Sequence, residues 1–134
     1  PSVSVVAKKL LENPRAPFDE IAQRRKQNAH CWRAALSPNN TAYRPFFDEE
    51  AEGPAPYKFI VKCIDYKHAV LGYNHLRARG CPVESWPDLA PEVLRNQETH
   101  AIANELRKKL LLLPTHQSFN PVDFMDMGWI FETS

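Results

Sequence analysis

Proline placement is the feature that most restricts how this chain can fold. Twelve prolines divide its 134 residues. Proline lacks a backbone N–H and its ring clashes with the preceding helical turn, so helix interiors exclude it. Three long stretches contain no proline, residues 18–37, 57–81 and 92–113, and each carries a helical pattern. The proline spacing therefore predicts three main helices that are joined by proline-containing connectors.

Apolar periodicity sets the bounds of the first and last helices. The first is predicted over residues 18–36, where apolar side chains recur at intervals of three and four, just after Pro17. The last is predicted over residues 90–113, which carry a leucine-rich stripe and end before Pro114. A shorter helix is predicted over residues 3–12, although its valine-rich start also permits a strand.

The middle stretch permits two interpretations. A single helix over residues 57–79 would be apolar on nearly all sides, as a buried central helix is. Alternatively, residues 57–65 form a strand, because they are rich in β-branched and aromatic residues, and Asp65 caps a helix from Tyr66. We favour the single helix, with Gly80 as its C-cap, and the chain is then predicted to be all-α.

The C-terminal segment has a different composition from the rest. Residues 115–134 are rich in aromatic residues and contain neither Lys nor Arg. We therefore predict a helical domain over residues 1–114, followed by an extended tail that docks on a partner, because buried aromatic anchors carry much of the energy of protein interfaces. The predicted anchors in the tail are Phe119, Phe124, Met127, Trp129 and Phe131. The connector over residues 41–56 supplies a second set, Tyr43, Phe46 and Phe47.

The charge balance argues against a dedicated nucleic-acid binder. The formal net charge is only +1, whereas phosphate neutralisation usually demands a strongly basic domain. Three local clusters would nevertheless form a basic patch if the helices packed suitably, and a nucleic-acid or ribosome-associated protein is therefore an alternative. The residues of this predicted patch are Arg24, Arg25, Lys26, Arg77, Arg79, Arg107, Lys108 and Lys109.

The cysteines and histidines give no metal or cofactor site. The three cysteines, Cys31, Cys63 and Cys81, have no CxxC spacing and are predicted to be reduced, although one disulfide remains open. On a continuous helix Cys63 and Cys81 lie too far apart to share one ion, and His68 and His75 are two turns apart. We therefore predict no metal and no cofactor. Reduced thiols favour an intracellular location, in the cytosol or in the matrix of an organelle such as the mitochondrion, and the sequence does not decide between these.

The expected function follows from the absence of catalytic motifs. The sequence has no glycine-rich phosphate loop and no uncharged apolar run of about 18 residues, which leaves a membrane-peripheral position open. The N-terminal amine of Pro1 offers one enzymatic alternative, as a general base like that of tautomerase-like enzymes. The main prediction is a non-catalytic structural or accessory subunit of a multi-protein complex. It would bind neighbouring protein subunits through the tail and the 41–56 connector.

Overall fold

The computed structural model describes residues 16–36, 38–48, 54–86 and 89–127, together with residue 5. Within these residues the chain forms one antiparallel sheet with helices packed on it. In chain order the elements are α1 Ala16–Ala35, β1 Tyr43–Pro45, β2 Lys58–Cys63, α2 Tyr66–Ala78, β3 Glu84–Ser85, α3 Pro91–Arg95, α4 Ala101–Lys109, β4 Leu110–Pro114 and a 3-10 helix over Pro121–Met127.

The prediction of an all-α fold is wrong, because the chain is mixed α/β. The first reason is the middle stretch, which forms β2 and α2 instead of one helix. Buried Phe59, Val61 and Cys63 alternate with more exposed neighbours along β2, as on a strand with one face on the core. The less favoured interpretation, a strand followed by a helix that Asp65 caps, is therefore the one that the structure shows.

The second reason is the end of the predicted last helix. Residues 90–113 divide into α3, α4 and then β4, and Lys109 of α4 is followed directly by Leu110 of the strand. Four consecutive leucines have no periodicity, and a short apolar run of this kind also fits a strand that is buried on both faces. Since β4 lies between β2 and β3, the sheet places it in a central position.

The sheet has the strand order β1-β2-β4-β3, and every neighbouring pair is antiparallel. Val61 pairs with Leu111 and Phe59 with Leu113, so these side chains share one face. Tyr43, opposite Cys63, lies on the same face. Helices α1 and α2 cover this face, and the core cluster combines these residues with side chains of both helices.

The ends of α2 follow from its sequence. The Asp65 carboxylate accepts a hydrogen bond of 2.8 Å from the backbone N–H of His68, which is how an N-cap satisfies a free donor. Beyond the helix, Gly80 has a φ of +83°, a conformation that side-chain-bearing residues rarely adopt. Inside the helix, a Cβ on Gly72 would lie 3.1 Å from Leu111 Cδ1 and 3.2 Å from the Tyr43 ring, so the helix approaches the sheet closely there.

Helix α1 is joined to the segment that follows β4. The indole N–H of Trp32 donates to the Pro114 carbonyl at 2.9 Å. The buried amide nitrogen of Asn28 lies within hydrogen-bonding distance of three carbonyls, those of Thr115 at 3.2 Å, His116 at 2.9 Å and Phe119 at 3.0 Å. One side chain thus supplies hydrogen-bond donors to the backbone of this turn, in which Thr115 is buried.

Two further findings concern the predicted elements. The short helix predicted over residues 3–12 lies outside the described residues, except for Val5, which is helical and exposed. Among the helices in the described part of the chain, none combines the length and the apolar character that a membrane crossing requires.

Candidate functional site

A cavity of about 690 Å³ lies between α2, the last turn of α4 and the β3–β4 side of the sheet. Its volume is within the range of small-molecule sites. We call it the aromatic pocket. It is lined by Tyr66, Ala69, Val70, Tyr73, Ser85, Trp86, Arg107, Lys108, Leu110 and Leu111.

Helix α2 supplies one wall of the pocket. Its contributing residues follow a spacing of three, four and seven, so they lie on one helical face. Tyr66 is 62% exposed and Trp86, just after β3, is 38% exposed, so both rings remain accessible to a ligand. Large aromatic side chains that stay exposed on both sides of a cavity are suited to contact the flat face of a ligand.

The other wall carries positive charge. Arg107 and Lys108 lie in the last turn of α4, which leads without a loop into β4. The guanidinium carbon of Arg77 lies 5.9 Å from the centre of the Tyr73 ring, so a third cation flanks the pocket. Among the described residues that line the pocket, none is Asp or Glu. The exposed rings together with Arg107 and Lys108 suit a ligand that combines an apolar face with an anionic group.

The predicted basic patch is divided by the structure. One of its clusters lines the aromatic pocket through Arg107 and Lys108, and Arg77 of a second cluster lies over the ring of Tyr73, which also lines it. The cluster of residues 24–26 lies on α1, and Arg25 there donates to Gln117 at 3.3 Å and stacks over Tyr57. Lys109 forms an ion pair of 3.1 Å with Glu105.

Of the predicted tail anchors, two pack against the core of this chain and the others lie outside the described part. Phe119 stacks on Trp32, with ring centres 6.0 Å apart, and Phe124 stacks on Phe119 at 5.2 Å. These two rings thus pack against the chain's own core. The side chain of Met127, like residues 129 and 131, lies outside the described part. Partner binding by these residues stays a prediction.

The anchors predicted in the connector also differ from one another. Tyr43 is fully buried in β1 and donates a hydrogen bond of 2.9 Å to the His68 carbonyl. Phe46 and Phe47 meet edge to face at 5.0 Å, and Phe47 remains 62% exposed. Tyr43 is therefore a core residue of this domain, whereas the Phe47 ring is accessible at the surface.

The buried thiols are unsuited to nucleophilic catalysis. Burial raises the pKa of Cys63 to about 12, and burial likewise raises the pKa of Cys81 to about 12. Both side chains are therefore neutral thiols near pH 7, and the thiolate is the nucleophilic form. Within the described ranges no group of three His, Cys, Asp or Glu side chains is arranged to hold a metal ion.

The sequence prediction missed the pocket itself. The single helix predicted over residues 57–79, apolar on nearly all sides, would bury both Tyr66 and Tyr73. The seven-residue spacing of the two tyrosines was a usable signal, since it places them on one helical face. Their meeting with Arg107 depends on β4, which the sequence prediction placed in a helix.

Comparison with known proteins identifies the fold. The aminotransferase TlmJ of Streptoalloteichus hindustanus matches 93% of this chain, with a TM-score of 0.66 and 20% identity. A putative sugar aminotransferase of Streptococcus pneumoniae, Spr1654 in its PMP form, matches 92%, with a TM-score of 0.67 and 15% identity. The chain spans 33% of the length of each. No family model and no curated protein matches the sequence.

These similarities overturn the expected function. The chain has the fold of one part of an aminotransferase, so the prediction of a non-catalytic accessory subunit is wrong. Neither alternative is supported by this fold, and Pro1, the proposed base of the enzymatic alternative, lies outside the described residues. At such low identity the likeness shows the fold and leaves the reaction to be established.

The residues of the aromatic pocket do not fit the cofactor that the fold implies. Pyridoxal phosphate enzymes use a lysine for covalent attachment and an acidic or Arg partner for the pyridinium nitrogen. Arg107 of the pocket could serve as that partner, but the lysine of the described lining, Lys108, is exposed. Covalent attachment needs a neutral amine, which removal from water favours, so the pocket is better suited to a substrate than to this cofactor.

Proposed function

We propose that this chain is the smaller, substrate-side domain of an aminotransferase that acts on a sugar. The observation that carries the proposal is the fold, which matches aminotransferase structures over 93% and 92% of the chain. One of these two proteins is described as a putative sugar aminotransferase. The covalent cofactor site then belongs to a larger domain, in the same polypeptide or in a partner protein.

The aromatic pocket supports a sugar substrate. The C–H face of a sugar ring is apolar and packs well against exposed aromatic rings such as Trp86 and Tyr66. The hydroxyl groups of Tyr73 and Ser85 can exchange hydrogen bonds with the sugar hydroxyls. Arg107 would bind an anionic group of the substrate, because a guanidinium presents several donors at once.

The test uses the complete enzyme, that is, the polypeptide or complex in which this chain occurs. Bound pyridoxal phosphate is measured by its visible absorbance, and amino transfer from L-glutamate to a keto-sugar is followed kinetically. We expect Trp86→Ala to raise the KM for the sugar roughly tenfold, equivalent to about 1.4 kcal/mol, while the cofactor content stays the same.

The matched control is Ile102→Ala, which removes an exposed apolar side chain of α4 that does not line the pocket. It should leave the KM unchanged. A complete protein without pyridoxal phosphate and without amino transfer would refute the proposal. Equal effects of the Trp86 and Ile102 substitutions would refute the role of the pocket alone.

A further inference from the structure

Helix α2, which supplies one wall of the aromatic pocket, is tied to the sheet by a residue that does not line that pocket. Tyr43 lies in β1, at the edge of the sheet away from the pocket, and is fully buried. Its hydroxyl donates a hydrogen bond of 2.9 Å to the backbone carbonyl of His68, in the first turn of α2. A directional bond therefore joins the sheet to the helix that carries Tyr66 and Tyr73.

The hydroxyl of Tyr43 is suited to this role. Burial, followed by the nearby Cys63 and Asp65, raises the pKa of Tyr43 to about 12. The phenol thus stays protonated, and able to donate, throughout the neutral pH range. A carbonyl oxygen has two lone pairs, so that of His68 can accept from Tyr43 and from the helical N–H four residues later. The bond to the sheet therefore costs α2 no hydrogen bond of its own.

The ring of Tyr43 meets α2 one turn further along, at Gly72. A Cβ at Gly72 would lie 3.2 Å from this ring and 3.1 Å from Leu111 Cδ1 of β4. Leu111 also lines the aromatic pocket, so the spacing of α2 and β4 at Gly72 helps to set the width of the pocket. Apolar contact limits how closely the helix approaches but is non-directional, whereas the Tyr43 hydrogen bond also resists sliding and rotation.

The pocket tyrosines of α2 are close neighbours of the residues that Tyr43 contacts. Tyr66 lies two positions before His68, and Tyr73 directly follows Gly72. Residues this close on one helix move together, because backbone hydrogen bonds fix their relative positions. A shift of α2 on loss of the Tyr43 hydrogen bond is therefore passed to both tyrosine rings of the pocket.

We propose that Tyr43 is a positioning residue for the substrate of the aromatic pocket. By holding the first turns of α2 on the sheet, it sets where the rings of Tyr66 and Tyr73 stand relative to Trp86. This inference rests on the proposed function, since it takes the substrate of the pocket to be a sugar. Tyr43 itself touches no substrate and acts only through α2.

The first test is kinetic and uses the complete enzyme with L-glutamate and a keto-sugar. Tyr43→Phe keeps the ring at Gly72 and removes only the hydroxyl. We expect the KM for the sugar to rise about three- to tenfold, while kcat and the content of pyridoxal phosphate stay the same, because a displaced wall weakens binding without touching the reacting atoms. Asn28→Ala removes hydrogen bonds between α1 and the segment after β4, and it serves as the control for lost stability. It should leave the KM unchanged.

The second test does not depend on catalysis. Amide hydrogen exchange of the full chain is compared between the wild type and Tyr43→Phe. We expect residues 70–73 to exchange at least about threefold faster in the variant, while α1 exchanges as before, since the lost bond frees the first turns of α2 locally. An equal increase in α1 and α2 would mean a general loss of stability and would overturn the positioning role, as would unchanged exchange in residues 70–73.

Two kinetic results would also overturn the inference: an unchanged KM in Tyr43→Phe, or the same rise in KM in Asn28→Ala. In both cases the wild type still transfers the amino group. A complete wild-type protein without pyridoxal phosphate and without amino transfer refutes the proposed function instead. Hydrogen exchange then still decides whether Tyr43 holds α2 on the sheet.

Discussion

The amide nitrogen of Asn28 lies 3.0 Å from the carbonyl oxygen of Phe119, across 91 positions of sequence. The same nitrogen also lies close to the carbonyls of Thr115 and His116. The stacking of Phe119 on Trp32 depends on this local arrangement, because both Asn28 and Trp32 project from α1 toward the segment after β4. Asn28 thus joins the first described helix to the chain beyond the sheet.

Replacement of Asn28 tests this connection. Asn28→Ala removes the donor of the buried Thr115 carbonyl and of two partly buried carbonyls, and we expect it to lower the free energy of unfolding by about 1–3 kcal/mol. Asn28→Asp should lower it at least as much, since a carboxylate cannot donate to a carbonyl. Urea denaturation followed by Trp fluorescence gives the values. The exposed neighbour Gln27→Ala is the control, and an equal loss in this control would contradict the prediction.

Gly72 tests the close approach of α2 to the sheet. Alanine there gains up to about 1 kcal/mol in helix propensity, but the added methyl group meets Leu111 and the Tyr43 ring. Overpacking of this kind usually costs about 1–3 kcal/mol, and the hydrogen bond from the Tyr43 hydroxyl limits the movement of its ring. We therefore expect Gly72→Ala to be destabilising in thermal or urea unfolding.

A double-mutant cycle separates this cause from a general intolerance of alanine. In a Leu111→Val background Gly72→Ala should be less destabilising, because the smaller side chain leaves room for the methyl group. Gly80→Ala should lower the free energy of unfolding by about 1–2 kcal/mol in both backgrounds. The strain there comes from the positive φ, because no atom lies within 4 Å of the added methyl group. If the changes in unfolding free energy of Gly72→Ala and Leu111→Val simply add, the contact between the added methyl group and Leu111 is not the cause of the destabilisation.

Asp65 gives α2 a pH-dependent contribution to stability. Hydrogen bonds from the His68 backbone N–H and then from its side chain lower the pKa of the Asp65 carboxyl in the folded state. A lowered folded-state pKa stabilises the fold above the unfolded-state pKa, and this stabilisation is lost as the pH falls through the folded-state pKa. Asp65→Ala should therefore be less stable than the wild type at neutral pH and converge with it in acid.

The measurement is a series of urea unfolding curves between neutral and acidic pH. Asp48→Ala removes an exposed carboxylate that does not cap α2. Its free energy of unfolding should depend on pH in the same way as that of the wild type. A constant difference between Asp65→Ala and the wild type down to the most acidic pH would show that the carboxylate charge is not the cause.

The cysteines should differ in reactivity. The raised pKa values of Cys63 and Cys81 reduce their thiolate fractions at pH 8 by at least about a hundredfold relative to a free thiol. Iodoacetamide should therefore modify only the partly exposed Cys31 readily in the folded chain, and all three after unfolding in urea. Mass spectrometry of peptides identifies the modified sites. Rapid labelling of Cys63 under native conditions would contradict its burial.

The sequence predicted local features better than long-range ones. Local residue types are enough to predict α1, the N-cap at Asp65 and the turn at Gly80 that ends α2. Each depends on neighbours only a few positions away. The strand β4 does not, because leucine is a good helix former and its pairing partners in β2 lie about 50 positions earlier. A strand is favoured here by pairing that the local sequence does not reveal.

The same dependence on long-range strand pairing explains why the sequence does not predict the aromatic pocket. The two tyrosines of α2 share a helical face that a sequence pattern can indicate, and Trp86 is visible as an isolated aromatic residue. Their convergence with Arg107 and Lys108 requires β4 to turn back beside β3. The sequence indicates the basic clusters, but only the sheet topology determines which of them lines the pocket.

The direct passage from α4 into β4 has a consequence for how this domain can vary in length. With no loop between Lys109 and Leu110, an inserted or deleted residue has no slack segment to absorb it. It would either rotate the last turn of α4 by about 100°, and move both cations away from the pocket, or exchange the two faces of β4. Insertions and deletions at this junction should therefore disrupt the sheet or the pocket, whereas substitutions that preserve length are better tolerated.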